Sequence, residues 1–127
     1  MSNSGSYEER RRSFDWSIAA EELGYKEGEP LNIGYYCSDR ICNLGYGSKP
    51  ALIWENYQGV SKQYTFEELK DLSNAFASML KKIGVEKGER VCIYMDRIPE
   101  LYISFLGILK MGGVVVPLFS AFGEDSL

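Results

Sequence analysis

The 127 residues contain no histidine. That absence excludes a serine or cysteine hydrolase of the His-assisted kind, a histidine-containing metal site, and histidine as general base. Cysteine is sparse. Cys37, Cys42 and Cys92 are odd in number, no two form a Cys-x-x-Cys pair, and Cys92 falls in a predicted buried strand. Reduced thiols in a cytosolic chain are expected, and a structural zinc site is not. No apolar run approaches the roughly 20 residues that span a bilayer, and the N-terminus lacks the basic, apolar, small-residue order of a secretory signal. The expected location is cytoplasmic, with no membrane partner. Positive charge is not in excess: 14 Lys and Arg stand against 18 Asp and Glu, a net charge of −4. A nucleic-acid partner is therefore not expected.

What is present is a strand, a helix and a second strand with little between them. Val91 to Met95 is an apolar run too short for a helix, bounded by Gly88 and Asp96, as expected of a strand buried on both faces. Pro99 suits the first helical turn, where its missing N–H is not needed. Leu101 to Leu109 is apolar on nearly every face, and Gly112 and Gly113 end it. Val114 to Phe119 is a second continuous apolar strand. Two such strands joined through a helix are expected to be parallel, and parallel strands need cover on both faces. The fold class is α/β, and the unit belongs to a larger layered α/β domain.

Earlier segments read as helices and a hairpin. Residues 1–14 are expected to be a disordered or poorly ordered tail, with Arg10 to Arg12 a solvated mixed-charge run beside Glu8 and Glu9. Asp15 caps a helix from Trp16 to Leu23, with Gly24 as its stop. Asn32 caps a second, from Ile33 to about Leu44, with Ile33, Tyr36, Cys37, Ile41 and Leu44 on one face. Ala51 to Glu55 and about Val60 to Tyr64 form a hairpin around Asn56 to Gly59. Thr65 and Glu68 make a capping box. The helix they open turns Phe66, Leu69, Leu72, Phe76, Met79, Leu80 and Ile83 to one side and ends at Gly84.

Few residues carry chemistry. Gly45, Gly47, Ser48 and Lys49 lack the spacing of a phosphate loop and lead into a strand rather than a helix, so a plain loop is expected. Asp96 and Glu100 lie where open α/β sheets place ligands. Without a second catalytic group, capping by Asp96 and helix-dipole complementation by Glu100 are the preferred roles. Tyr102 and Phe105 are read as core residues.

Five pieces in order resemble the opening of the adenylate-forming acyl-CoA synthetases. They are Tyr64-Thr65-Phe66-Glu67-Glu68-Leu69, Ser73-Asn74, Lys87-Gly88-Glu89-Arg90-Val91, Arg97-Ile98-Pro99-Glu100-Leu101, and Gly112-Gly113-Val114-Val115-Val116-Pro117-Leu118-Phe119. The resemblance covers roughly residues 49 to 127. Pro117 to Phe122 is most similar to the acetate:CoA ligase (AMP-forming) branch, as is the preceding stretch from Leu31 to Tyr36 with Asp39 and Arg40. The resemblance implies a parent enzyme that uses ATP, Mg²⁺ and CoA. A carboxylate attacks the ATP α-phosphate to give an acyl-adenylate and pyrophosphate, and the CoA thiol then displaces AMP. It implies that residues 15–127 are the N-terminal part of the large domain, cut before the phosphate loop. The family's Gly/Ser/Thr-rich loop, its later adenine, magnesium and hinge motifs, and its C-terminal catalytic lysine do not occur, so no catalytic or metal residue is expected and the fragment alone is expected to be inactive. Gly84 and Lys110 align with positions that in acetate-activating members lie near the CoA nucleotide phosphate, Lys110 standing where arginine is common. A lysine gives a point charge there but no bidentate fork. The structural alternatives, Gly84 as a helix C-cap and Lys110 as complement to the end of its helix, are preferred.

Ser120 to Leu127 reads as the opening of a further helix. The expected partner is the remainder of a synthetase chain, with a carboxylate as the parent's substrate and self-association of the isolated fragment through its uncovered surface. Two other readings stand beside this one. A noncatalytic interaction module would use the exposed sheet edge or helix face. A Rossmann-like nucleotide binder lacks its glycine fingerprint after either strand.

Overall fold

A computed structural model of the chain describes residues 6–118 and 120, and the chain divides into two units, Met1–Leu31 and Asn32–Leu127. In the first unit, helix α1 spans Tyr7–Ser13 and α2 spans Trp16–Leu23. Helix α1 lies within the 1–14 stretch read from the sequence as a poorly ordered tail. Ser6 Oγ accepts from Glu9 N–H (3.3 Å) and Glu9 Oε2 accepts from Ser6 N–H (2.9 Å), a capping box. Glu8 and Glu9 in its first turn and Arg10, Arg11 and Arg12 in its last complement the helix dipole. Asp15 caps α2 as expected, and Gly24, at φ 65°, ends it.

In the second unit, helix α3 spans Ile33–Cys37 and α4 spans Asp39–Ile41, followed by a π-helical turn over Cys42–Tyr46. Strands β1 (Pro50–Glu55) and β2 (Ser61–Thr65) precede helix α5 (Phe66–Lys82). Strand β3 (Arg90–Tyr94), helix α6 (Pro99–Met111) and strand β4 (Val114–Leu118) complete the described order. The expected helix after Phe119 falls on residues 121–127, outside the described residues.

The α/β class and both strand pairs agree with the sequence. Strands β1 and β2 pair antiparallel through Asn56, whose Oδ1 accepts from the N–H groups of Gln58 and Val60. Strands β3 and β4 pair parallel, Arg90 with Val114 through Tyr94 with Leu118. Trp54 Nε1 donates to the Arg97 carbonyl at 2.7 Å, tying the hairpin to the connection between β3 and α6. The core beneath the helices is Ala77, Leu80, Ile93, Ile108 and Met111, with Phe76, Val85, Val91, Met95, Leu101 and Val115 packed around it.

The apolar faces depart from expectation in one consistent way. Helix α5 buries Leu69, Ser73, Ala77 and Leu80, whereas Leu72, Met79 and Ile83 are exposed. The cause is close approach to α6: a Cβ on Gly107 would stand 2.8 Å from both the Ser73 carbonyl and Phe76 Cδ1. The predicted single helix from Ile33 to Leu44 breaks at Ser38, whose hydroxyl donates to the Gly34 carbonyl at 2.7 Å. Gly34 and Ser38 are the buried residues of that segment, while Ile33, Cys37 and Leu44 are exposed. A Cβ on Gly34 would meet Lys110 Cγ at 2.7 Å and the Leu106 carbonyl at 2.8 Å. Helix α6 turns Ser104, Gly107, Ile108 and Met111 inward. Tyr102 and Phe105 lie off that line and are exposed, contrary to their expected core role. Cys92 is likewise exposed, because among the described residues helices cover only one face of the β3–β4 pair.

Candidate functional site

The Lys110 side chain makes three polar contacts with the described residues of the Asn32–Leu127 unit. It sits in the last turn of α6, which stops at Met111 because Gly112 adopts φ 87°. Helical side chains lean toward the N-terminus of their helix, and the Lys110 ammonium reaches Asp39 Oδ2 at 2.6 Å, Asn74 Oδ1 at 2.9 Å and the Lys70 carbonyl at 3.3 Å. An ammonium has three donors. All three are taken, and the side chain is only 7% exposed.

Helices α4 and α5 supply those partners, and the start of α3 adds one to the Lys110 carbonyl. Asp39 opens α4, directly after the break at Ser38, and Ser38 Oγ lies 2.9 Å from Asp39 Oδ2. Asn74 projects from the middle of α5, and its Nδ2 donates to Asp39 Oδ1 at 3.3 Å. Asn32 serves two helix ends at once. Its Oδ1 accepts from Tyr35 N–H at the start of α3, and its Nδ2 donates to the Lys110 carbonyl at 3.0 Å, one that the end of α6 leaves without a helical partner. Burial pushes the Asp39 carboxyl up; hydrogen bonds from Lys110, Ser38 and Asn74, together with the charge of Lys110, outweigh this and hold it below its ordinary value. Asn32, Tyr35, Asp39, Asn74 and Lys110 line a shallow depression of about 240 Å³.

Lys110, read as a candidate CoA phosphate contact, is here engaged with this chain's own groups. The ammonium has no donor to spare, and an approaching anion meets the Asp39 carboxylate beside it. Gly84 lies elsewhere. It follows α5 at φ 94°, its N–H donates to the Lys81 carbonyl, and nothing stands within 4 Å of where a Cβ would be. Lys110 meets α5 at Lys70 and Asn74, and the eight residues from Asn74 to the end of the helix at Lys82 span about 12 Å. The two residues that the resemblance linked are not brought together.

The remaining candidates are committed to local structure. The carbonyls of Gly47 and Lys49 accept from the N–H groups of Glu67 and Phe66. The segment from Gly45 to Lys49 thereby closes the start of α5 instead of presenting amides to a phosphate. Asp96 does not cap α6 through its side chain; Ile98 is the N-cap residue, and its N–H donates to the Asp96 carbonyl at 2.8 Å. Among the described residues, no group of three or more His, Cys, Asp or Glu is placed to hold a metal ion. No helix of the described residues is long and apolar enough to cross a membrane. Asn32, Asp39 and Asn74 were visible in the sequence as a cap and as parts of motifs. Their convergence on Lys110 had no local signal, since they lie 36 to 78 residues from it.

Comparison with known proteins places this geometry. The model of the AMP-binding enzyme family matches residues 42–127. The chain is 40% identical over 126 residues to an acetyl-coenzyme A synthetase of Bacillus subtilis (strain 168), covering 98% of this chain and 22% of that protein. It is 38% identical to an acetyl-coenzyme A synthetase of Magnetococcus marinus, covering 89% of this chain and 18% of that one. Among solved structures, the Brucella canis acyl-CoA synthetase superposes with a TM-score of 0.84 at 29% identity, over 94% of this chain and 21% of that one. The chain thus spans about a fifth of the length of the relatives it matches.

Proposed function

The chain belongs to the AMP-binding enzyme family, and from that premise we propose that its 127 residues are scaffold for the large domain of an AMP-forming acyl-CoA synthetase. The parent, in this proposal, is a cytoplasmic enzyme that activates a carboxylate, acetate, through an acyl-adenylate to an acyl-CoA. ATP, Mg²⁺ and CoA supply the leaving pyrophosphate, the charge compensation and the thiol in that chemistry. No step is assigned to residues of this chain. Lys110 joins α4, α5 and α6 through one buried ammonium, and Gly84 turns the chain out of α5.

The observation that carries this reading is the Lys110 cluster. The residue with the strongest claim to bind a ligand is fully spent on joining three helices, which is what a scaffold requires. The test is pyrophosphate release from ATP and acetate. The 127-residue chain is expected to show none, while a longer polypeptide that continues through the rest of the large domain and the C-terminal domain is expected to turn over. Release by the short chain, abolished by chelating Mg²⁺, would reject the scaffold role.

A further inference from the structure

We draw no further inference here: the strongest candidate, the apolar cavity of about 550 Å³ lined by Trp16, Leu23, Tyr25 and Leu31 beside α2, carries nothing because nothing in the structure shows what covers it.

Discussion

The β3–β4 pair has two faces of nearly equal apolar character and opposite fates. Val91, Ile93 and Val115 lie in the core with Ile108, which is 0% exposed, while Cys92, Tyr94 and Val114 face outward. Strand composition does not explain the difference, because valine occurs on both sides. What differs is the opposing layer. On the covered side α6 and α5 approach until Gly107 meets the backbone of Ser73, and the Lys110 ammonium ties that layer to α4. On the other side the described residues offer no helix. One face is finished by the described helices, and the other is not.

Breaking the finished side is expected to have the largest effect. Ile108→Ala removes a fully buried side chain beneath both strands and both long helices, and a cost of about 4 kcal/mol in urea unfolding is expected. A cost below about 1 kcal/mol would mean that this seam is not the core. Next comes Lys110→Ala. It leaves the Asp39 carboxylate mostly buried without its counter-ion, and about 3 kcal/mol is expected, the low end for a broken buried pair because Asp39 remains 22% exposed. The paired replacement of Asp39→Asn with Lys110→Met is expected to recover more than half of that loss. If it recovers none, the pair does not act as a unit.

The same pair sets an acid limit. The folded pKa of Asp39 is depressed, so its contribution is complete above the unfolded value, near about 3.9, and fades as pH falls through the folded value. Around neutrality the contribution is flat. In Lys110→Ala, burial still pushes the carboxyl up and the ammonium no longer opposes it. The stability that Asp39 loses on acidification is then expected to be smaller than in the unmodified chain, as read by thermal midpoints across an acid series.

Local grammar was legible in the sequence, and mutual approach was not. Asp15 with Gly24, the Thr65–Glu68 box, Pro99 and Gly112 marked helix ends that the structure reproduces, because caps are decided within a few residues. The box of Ser6 with Glu9 obeys the same rule, and its mixed-charge surroundings hid it. The packing faces of α3 and α5 were misread because apolar periodicity points to the bulkiest residues, Leu72 and Met79 among them. The contacts that fix these helices use Gly34, Ser38, Ser73 and Gly107, which carry almost no hydropathy signal. The Lys110 site was legible as one residue and illegible as a cluster, since its partners come from three separate elements.

The open face supplies the smallest and most discriminating change. Val114→Thr keeps the β-branched shape that suits a strand and adds a hydroxyl to a side chain already 47% exposed. In the isolated chain the expected change is within about 0.5 kcal/mol, the range of surface substitutions. A hydroxyl placed against an apolar layer would cost about 1–3 kcal/mol without a hydrogen-bond partner. The same substitution is therefore expected to be silent in the short chain and costly in a longer polypeptide whose further layer covers the strand. A cost above 1 kcal/mol in the short chain, independent of its concentration, would mean that the face is already sealed from within, and the two faces would no longer differ.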